Sequence, residues 1–387
     1  MTQKKALVLD GRTLSSLAVV RSLGQKEYTV HSGESFKWNL TRFSKYVDKH
    51  FSYPPAEDEP KHFVNTLLNV VKQADYDVVI PTRDRTTELL AKHQDRFQEY
   101  TNLYLAEADV ISTFMDKGET IKLAREADVP TPPTYFPEET DLETIKDEIE
   151  YPALVRARRS SGSRGIVRTE SDEELEDAYE TVQEEYETPM IQEYIEKTGY
   201  TTACILLDDN QEQVASFSYE RIKEYPLTGG PTVVGVSTDD AEAKEAATKL
   251  LQEGSWKGVA EVEFILDQDG TPRLLEVNPR FWMPVHLAVK SGVDFPYLIS
   301  EIAMGNNIEY DESYNRQLTY RWVLPNEILW FLSSDSMNLP IKNMFESNTC
   351  YGVLSASDPF PIVGTFVQSL FFLLDDEKRA MVLNRGS

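Results

Sequence analysis

The chain has 387 residues, of which 27% are charged, and carries a formal net charge of −26 at pH 7. This length is enough for two or three domains with a large core. The acidic balance argues against nucleic-acid binding, because contacts to phosphates need a basic face. The acidic residues are spread through amphipathic helices, which indicates a solvated surface suited to concentrated salt. We therefore expect a halophilic source, with an ordinary acidic surface as the alternative.

Membrane anchoring and cross-linking by disulfides are both disfavoured. No apolar stretch reaches the roughly 18 residues that a membrane-spanning helix needs, and the N-terminus does not have the pattern of a signal peptide. The cysteines are Cys204 and Cys350, and they lack the C-x-x-C spacing of a structural zinc site. These features predict a cytoplasmic protein with no membrane span.

Residues 1–115 alternate between short apolar strands and amphipathic helices. Strands are predicted at residues 6–9, 28–31, 77–81 and 103–106, and helices at residues 14–23 and 86–93. This order predicts a parallel sheet covered by helices. The turn after the first strand has one of the three glycines of a G-x-G-x-x-G motif, which argues against a dinucleotide site. Its Arg12, Thr13 and Ser15 either contact a small ligand or belong to a plain structural turn.

A proline-rich segment at residues 129–134 marks the passage into a second unit. Strands follow at residues 153–156, 166–169, 190–194, 201–207 and 213–219, and helices at residues 171–186 and 239–253. We expect the strands at 190–194 and 201–207 to pair as a hairpin. This order predicts an α+β unit of antiparallel sheet with helices on one side.

Five arginines lie within thirteen residues of this unit: Arg156, Arg158, Arg159, Arg164 and Arg168. They are interleaved with a loop of serines and glycines. Such a loop can close backbone N–H groups around a phosphate while the arginines supply positive charge. The alternative is a solvent-exposed turn whose arginines pair with surface acids.

Two carboxylates are predicted to face each other on a hairpin near the end of this unit. Both arms alternate between polar and apolar side chains, and the Asp-Gly dipeptide at 269–270 is typical of a two-residue type I′ turn. That turn pairs Glu263 with Glu276 and Glu261 with Asn278. Like charges at that separation need a cation between them, and hard oxygen ligands suit Mg²⁺ bound together with a nucleotide. An exposed hairpin with solvated acids is the alternative.

Beyond about residue 305 the periodic pattern weakens. The runs at residues 328–332 and 366–374 are apolar enough to be buried. The longer run at residues 361–374, which contains the second, is too short to cross a bilayer. It indicates core packing or a homodimer contact, with an interfacial membrane helix as the alternative.

Several segments combine into a recognisable set: Lys117, the proline-rich entry, Tyr151-Pro-Ala-Leu-Val-Arg156, the Ser-Gly-Ser-Arg-Gly loop, Ile191-Gln-Glu-Tyr-Ile195 and Leu275-Glu-Val-Asn-Pro-Arg280. This set resembles the ATP-grasp superfamily, and within it the carboxylate–amine ligases related to the carbamoyl-phosphate synthetase large subunit and to biotin carboxylase. The resemblance covers about residues 5–300. Glu-x-Asn-x-Arg closing a strand hairpin is its most specific element.

The resemblance implies an α/β parallel-sheet domain, Rossmann-like, at residues 1–115 and an α+β ATP-grasp domain at residues 116–305. Within the latter, a small lid would span about residues 116–192 and a larger catalytic part about residues 193–305. The nucleotide would be gripped between two antiparallel sheets. Residues 306–387 would be a C-terminal extension of unknown role.

The resemblance also implies a chemistry, in which ATP phosphorylates a carboxylate and an amine attacks the acyl phosphate. By position, Glu263, Glu276 and Asn278 would hold Mg²⁺, with Mn²⁺ as an alternative ion. Arg280, Asn278 and Arg156 would be the catalytic residues. The implied ATP contacts are Lys117, Arg156, Ser161, Gly162, Ser163, Gly165, Glu193, Tyr194, Ile195 and Glu196.

Two positions depart from the family pattern. Arg156 stands where family members usually have Lys, so a planar fork replaces a point charge. Tyr200 stands where a Glu commonly contacts the ribose, and Glu196 is the candidate substitute. The backbone of residues 193–195 resembles the hinge that hydrogen-bonds adenine, and a buried strand end is compatible with that interpretation.

The leading hypothesis is an ATP- and Mg²⁺-dependent ligase that joins a small carboxylate to an amine through a carbon–nitrogen bond and releases ADP and phosphate. A biotin-carboxylase-like enzyme is the second hypothesis, although no biotin-carrier sequence is visible. A catalytically silent nucleotide-binding module is the third. Substrate specificity is expected among Arg12, Thr13, Asp84, Gly229, Gly230, Phe281 and Trp282.

Overall fold

A computed structural model describes residues 3–374, apart from residues 161, 163, 228, 309, 311–312 and 335–346 and the side chains of residues 372–373. Three sheets organise this part of the chain: a four-stranded parallel sheet, a four-stranded antiparallel sheet and a seven-stranded sheet. None of its helices combines the length and the apolar character needed to cross a bilayer.

The N-terminal sheet has the order β3-β2-β1-β4, and all its strand pairs are parallel, as predicted. Its strands are β1 (Lys5–Val8), β2 (Thr29–Glu34), β3 (Lys49–Ser52) and β4 (Val78–Ile80). The helices of this domain are α1 (Leu14–Gln25), α2 (Pro60–Lys72), α3 (Asp84–Lys92) and α4 (Gln94–Gln98), with a 3-10 turn at Thr41–Phe43. β1, β2 and β4 are almost wholly buried, because helices cover a parallel sheet on both faces.

The strand predicted at residues 103–106 is wrong. Asn102 forms a single bridge to Val78 of β4, and the residues after it run without regular structure to α5 (Ala108–Met115). Leu103, Tyr104 and Ala106 pack into three separate hydrophobic clusters. Their apolar character therefore reflects burial where the chain crosses between domains, and not strand pairing.

A small antiparallel sheet, the lid sheet, has the order β5-β8-β6-β7. Its strands are β5 (Thr134–Tyr135), β6 (Ala153–Arg156), β7 (Ile166–Thr169) and β8 (Met190–Glu193). α6 (Lys117–Glu126) precedes it, and α7 (Leu142–Glu148) and α8 (Asp172–Glu185) pack against it. Ser171 caps the N-terminus of α8, because its side-chain oxygen accepts a hydrogen bond from the Glu174 amide. The three acidic residues in the first turn stabilise the helix through their attraction to the positive end of its dipole.

The seven-stranded sheet has the order β13-β12-β9-β10-β11-β14-β15 and contains the candidate site. Its strands are β9 (Gly199–Leu207), β10 (Gln213–Glu224), β11 (Thr232–Thr238), β12 (Gly258–Leu266), β13 (Pro272–Asn278), β14 (Thr319–Arg321) and β15 (Thr349–Tyr351). The helices in this part of the chain are α9 (Ala241–Glu253), α10 (Val285–Ser291), α11 (Phe295–Ala303), α12 (Ile328–Ser333) and α13 (Pro361–Leu374), and an irregular turn at Val323–Glu327 precedes α12.

The hairpin predicted between residues 190–194 and 201–207 is wrong, because the two strands belong to different sheets. β8 pairs with β5 and β6, whereas β9 pairs with β10 and β12. The Tyr194 amide still donates to the Pro152 carbonyl at 2.8 Å. The segment between Tyr194 and β9 is therefore the link from the lid sheet to the larger sheet.

The turn between β12 and β13 differs from the predicted two-residue type I′ turn. The Gly270 amide donates to the Asp267 carbonyl at 3.0 Å, and Gly270 has a φ of 82°, so residues 268–270 form a three-residue loop. Such a loop alone would shift the predicted pairing by one residue. An extra residue in β13, Leu275, forms a β-bulge and restores it.

The C-terminal region joins the seven-stranded sheet to the N-terminal domain. β15 pairs with β14, and beyond it Asp358 forms a buried ion pair with Arg21 of α1 (Nε to Oδ2, 2.9 Å). The burial predicted for residues 328–332 and 366–374 is wrong. No residue of α12 is buried, no described side chain from 366 to 374 is buried, and Leu332 and Leu374 are 72% and 71% exposed. An apolar run alone does not indicate which surface, if any, of the same chain covers the helix.

Candidate active site

One face of the seven-stranded sheet collects the polar side chains of the predicted hairpin. Glu276 of β13 lies opposite Glu263 of β12, and Asn278 lies opposite Glu261, which confirms the predicted pairing. Opposed residues project from the same side of a sheet, so these four side chains share one face. β9 lies directly beside β12, and Thr202 lies opposite Glu263 there.

Each of the two opposed carboxylates contacts a basic side chain. Lys117 Nζ, at the start of α6, lies 3.3 Å from Glu276 Oε2 and also donates to the Ser160 carbonyl at 2.7 Å. Arg221 of β10 donates to Glu263. One ammonium group and one guanidinium group thus balance the repulsion that the sequence predicted between the two acids.

Asn278 joins the two carboxylates of β12. Its amide nitrogen donates to Glu261 Oε2 at 3.0 Å and to Glu263 Oε1 at 3.1 Å, and its oxygen accepts from Arg280 at 3.0 Å. In this arrangement Asn278 is a hydrogen-bond donor toward the acids. A metal ion at Asn278 requires its amide to turn the oxygen toward the carboxylates, since metals of this class bind oxygen.

Burial and the crowding of like charges dominate the electrostatics of this face. Burial, reinforced by the charge of Glu263, raises the pKa of Glu261 to about 8. Burial also raises the pKa of Glu263, a shift that Arg221 opposes and Glu276 reinforces. Burial also acts to raise the pKa of Glu276. The positive charge of Lys117 and other nearby basic groups outweigh burial there, so the pKa of Glu276 is lowered. A bound cation would therefore relieve repulsion here.

Two residues of this face, Tyr219 and Arg221, are absent from the sequence prediction. The Tyr219 hydroxyl donates to Glu261 at 2.6 Å. Arg221 also donates to Glu224 at 3.1 Å, and its guanidinium lies 4.8 Å from the centre of the Tyr200 ring. The predicted strand ends at residue 219, whereas β10 continues to Glu224. The signal that identifies both residues is the period-two alternation that continues past Tyr219.

Arg156 is the member of the arginine-rich segment that lies at the site. It is 3% exposed, and its charge contributes to the low pKa of Glu276. One guanidinium nitrogen donates to Gln192 Oε1 at 2.6 Å, while Nε is buried without a partner. Burial lowers the pKa of Arg156. A buried cationic donor with no acceptor is an uncommon cost in a folded protein and indicates a place for an anionic oxygen.

Two of its neighbours are structural. They pair with acids, as the alternative interpretation of this segment predicted, but Arg158 is buried and does not belong to a solvent-exposed turn. Arg158 pairs with Asp116 at 2.8 Å, with Glu119 at 2.6 Å and with Glu138 at 2.7 Å. Arg159 donates to Ser112 at 2.8 Å. These contacts attach the strand end of the lid sheet to α5 and α6, and they hold Lys117 beside the hairpin.

The loop beyond these arginines has the backbone that glycine permits. Gly162 and Gly165 have φ values of 66° and 64°, and the Ala157 amide donates to the Gly165 carbonyl at 2.7 Å. Ser161 and Ser163, which the resemblance assigns to ATP, lie outside the described residues. Phosphate binding by this loop stays a prediction.

The predicted adenine hinge lies where the chain leaves the lid sheet. The amides of Glu193 and Tyr194 already donate to the carbonyls of Pro133 (2.9 Å) and Pro152 (2.8 Å). Ile195 follows outside any strand, and Glu196 is exposed. An adenine contact and a ribose contact in this segment stay predictions. The backbone amide predicted to contact adenine would be that of Ile195, which forms no hydrogen bond to the described strands of either sheet.

Arg280 connects the hairpin to the N-terminal domain. Its Nε donates at 2.6 Å to Asp84, the first residue of α3. Thr13, in the turn after β1, lies 3.0 Å from Thr82 in the turn after β4. Both turns lie at the carboxyl ends of parallel strands, where open α/β sheets bind ligands. Through Asp84, Arg280 therefore lies beside the turn after β4, near residues that the sequence assigned to specificity.

Two other residues predicted to determine specificity are structural. Phe281 and Trp282 are 2% and 0% exposed and belong to the largest hydrophobic cluster. Their side chains belong to the core; Phe281 also lines a small cavity together with Pro81 and Arg280.

The polar face fits a magnesium ion and a nucleotide. Glu263 and Glu276 offer carboxylate oxygens from neighbouring strands, which are the donors Mg²⁺ prefers. The Glu276 side chain is 30% exposed and can be reached from outside. The unpartnered Nε of Arg156 supplies a donor for an anionic group.

Comparison with known proteins agrees with this geometry. Residues 114–284 match the family of ATP-grasp domains. This part of the chain is an ATP-grasp domain. It contains Lys117, Arg156, the linking segment after β8 and the β12–β13 hairpin, and so all the predicted metal and nucleotide ligands.

Two curated proteins are similar to parts of the chain. The D-alanine–D-alanine ligase of Pelotomaculum thermopropionicum is 27% identical over 221 residues, covering 50% of this chain and 69% of the relative. The acetyl-CoA carboxylase of Dictyostelium discoideum is 27% identical over 163 residues, covering 40% of this chain and 7% of the relative. The chain therefore corresponds to a small part of that carboxylase.

The fold extends beyond the ATP-grasp domain. The structure is similar to a biotin carboxylase from Campylobacter jejuni with a TM-score of 0.68, covering 81% of this chain and 74% of that chain. The identity is 16%, so this similarity concerns the fold alone. The parallel N-terminal sheet followed by antiparallel sheets is thus the architecture of ATP-grasp proteins.

Arg156 provides a direct test of the nucleotide site. We expect Arg156→Ala to weaken binding of MgADP by about 10- to 100-fold, because a buried charge-assisted hydrogen bond contributes about 1.5–3 kcal/mol. Arg156→Lys should recover part of that loss, because it keeps the charge without the planar fork. Isothermal titration measures both affinities. Arg96→Ala, which removes an exposed guanidinium of α4 outside the ATP-grasp domain, is the control and should leave the affinity unchanged.

Proposed function

We propose that this protein is an ATP- and Mg²⁺-dependent ligase that phosphorylates a small carboxylate and joins it to an amine, with release of ADP and phosphate. The observation that carries the proposal is the convergence of Glu263, Glu276, Lys117 and Arg156 at one face of an ATP-grasp domain. Phosphoryl transfer needs little covalent help from a protein. It needs positioned cations around the developing negative charge.

Each group has a role in this proposal. Glu263 and Glu276 would hold Mg²⁺, or Mn²⁺ in its place, and the ion would neutralise charge on the phosphates of ATP. Lys117 and Arg156 would bind phosphate oxygens from the other side. Arg280 would stabilise the transferred phosphoryl group or the acyl phosphate, and its hydrogen bond to Asn278 would orient it.

Binding of Mg²⁺ would rearrange two contacts of this face. Arg221 would leave Glu263 or share it with the ion, because both Glu263 oxygens already accept hydrogen bonds. Asn278 would turn its oxygen toward the ion. Arg221 retains Glu224 and the Tyr200 ring as partners when it moves.

We further propose that the carboxylate substrate binds in the crevice between Arg280 and the turns after β1 and β4. Support comes from Arg12 and Arg83 in these turns, whose side chains are 36% and 35% exposed and pair with Glu34 at 3.4 Å and with Glu57 at 2.9 Å. A carboxylate substrate would bind here by sharing these guanidinium groups with their present acidic partners, since arginine donates to more than one oxygen. If the chain divides into domains at residues 115 and 305, as the resemblance implies, this crevice would lie between the first two domains.

The proposed reaction is tested by screening amino acids, dipeptides and small acids for stimulated phosphate release in the presence of Mg²⁺ and ATP. We expect ADP and phosphate to form in equal amounts when the correct acid and amine are both present. With the acid alone and hydroxylamine, the acyl phosphate should be trapped as a hydroxamate. Formation of AMP would contradict the acyl-phosphate route.

The similarity to an acetyl-CoA carboxylase favours a second candidate, a biotin-carboxylase-like enzyme that uses bicarbonate as its carboxylate. The same assay with bicarbonate and free biotin distinguishes the two. ADP release that depends on both compounds supports the carboxylase, and release that depends on an amine supports the ligase. A nucleotide-binding module without turnover would bind MgADP. It would form no ADP from ATP, either with bicarbonate and biotin or with an amine.

A further inference from the structure

The C-terminal helix α13 presents an apolar stripe to solvent. The α13 stripe consists of large apolar side chains that are between 40% and 71% exposed: Phe360, Val363, Phe366, Leu370, Phe371 and Leu374. Large exposed apolar patches on an otherwise polar surface mark interaction sites. This stripe lies outside the ATP-grasp domain, and nothing in the proposed reaction uses it.

The helix that carries the stripe has no charged residue. Residues 360–374 contain no Asp, Glu, Lys or Arg, although 27% of the whole chain is charged. A partner recognised through its charge has no counter-charge to contact on this helix. A membrane surface is also a poor match, because helices that lie on membranes usually have Lys and Arg along their polar side and the net charge of −26 repels anionic lipid.

The stripe is held in place from behind. Gly364, on the inner side of α13, approaches the chain so closely that a Cβ there would lie 2.9 Å from the Leu40 Cα. Thr365 is buried, and Gln368 donates to the Arg12 carbonyl at 3.3 Å. Because the helix is already ordered against the N-terminal domain, little conformational entropy is lost when its outer side binds a partner.

The spacing of the stripe suits packing against another helix. Residues 363, 366, 370 and 374 recur at intervals of three and four, which is the pattern that interlocks with a second helix of the same kind. The six side chains expose about 600 Å², taking about 200 Å² for a whole aromatic side chain. Two such surfaces bury about 1,200 Å² together, the lower end of the range for specific interfaces.

We propose that the α13 stripe is the contact between two copies of this chain related by a two-fold axis. An apolar surface without charges is complementary to itself, and a two-fold interface uses the same patch on both copies. The two acidic bodies repel each other, and dissolved salt screens that repulsion while it strengthens apolar contact. The dimer should therefore become stronger as the salt concentration rises.

The test measures mass in solution by sedimentation equilibrium at about 50 µM chain, in 0.2 M and 2 M KCl. For the full chain we expect a mass of twice 44.2 kDa in 2 M KCl and a shift toward 44.2 kDa in 0.2 M KCl. The double variant Phe366→Glu/Leu370→Glu should be monomeric in both, with an unchanged circular-dichroism spectrum. Leu332→Glu, an exposed apolar residue of α12, is the matched control and should dimerise like the natural chain.

Three results would overturn the proposal. One is a natural chain of 44.2 kDa in 2 M KCl, and another is a double variant that remains dimeric. The third is co-sedimentation of the natural chain with uncharged phosphatidylcholine vesicles, which would assign the stripe to lipid. Loss of ligase activity has no bearing on these outcomes, because mass is measured without substrates.

Discussion

Glu276→Gln is expected to lower the rate of ADP formation by at least about 10²–10³-fold, the range seen when one preorganised electrostatic group is removed from an active site. Gln keeps the size of the side chain but removes the charge that faces Glu263 and contacts Lys117. The carboxylate pair would then hold Mg²⁺ with one formal charge less. The measurement is coupled ADP release with the acid and amine found by screening.

The same substitution should leave the fold intact. The Glu276 side chain is 30% exposed, so solvent can compensate Lys117, and we expect the thermal midpoint to fall by a few degrees at most. Glu253→Gln, at the exposed end of α9, is the control for losing one negative charge and should keep full activity. Activity of Glu276→Gln at the natural level would remove Glu276 from the metal site.

Asp358→Asn is expected to cause the largest loss of stability, about 3–5 kcal/mol, because it leaves a buried guanidinium without a counter-charge. Asp358 accepts hydrogen bonds from Arg21 at 2.9 Å, from Ser44 at 2.8 Å and from the Lys45 amide at 2.9 Å. Burial already lowers the pKa of Arg21 despite this partner. We expect the urea midpoint to fall by about 1 M or more.

A second variant shows whether charge is the cause. Replacing both residues, Arg21→Met/Asp358→Leu, should recover much of the lost stability, because the buried cation is removed together with its counter-charge. Glu245→Gln, which breaks an exposed ion pair to Lys249, should shift the stability by less than about 1 kcal/mol. An unchanged midpoint for Asp358→Asn would mean that this contact does not fasten the C-terminal region to α1.

Much of the site follows from local pattern. Alternation in both arms of the hairpin specifies that Glu263 and Glu276 share a face, and this conclusion survives a wrong turn type because a bulge at Leu275 compensates for the longer loop. Because one face of the hairpin is buried, any register that moves its polar and apolar side chains to the opposite faces is unfavourable. The pairing can therefore be predicted even where the turn type cannot. The parallel N-terminal sheet follows from the order of strands and helices in the same way.

Contacts between distant segments are beyond such patterns. Tyr219 and Arg221 reach the acids because β10 is separated from β12 by a single strand. Arg158 has a structural role, unlike Arg156, because it pairs with Glu119, and this pairing depends on where α6 lies. The sequence shows that residues 190–194 and 201–207 are strands, but the sheet that each one joins is decided by all its potential partners at once.

The elements of the hairpin, the acids on its inner face and the resemblance to ATP-grasp proteins can be predicted from the sequence, because side-chain periodicity and turn residues act over a few positions. The folded chain is needed to show which cations contact those acids, which arginine is left with a buried unpaired donor, and which side of α13 faces solvent. These depend on burial and charge contributed by segments up to several hundred residues apart, which no local period encodes.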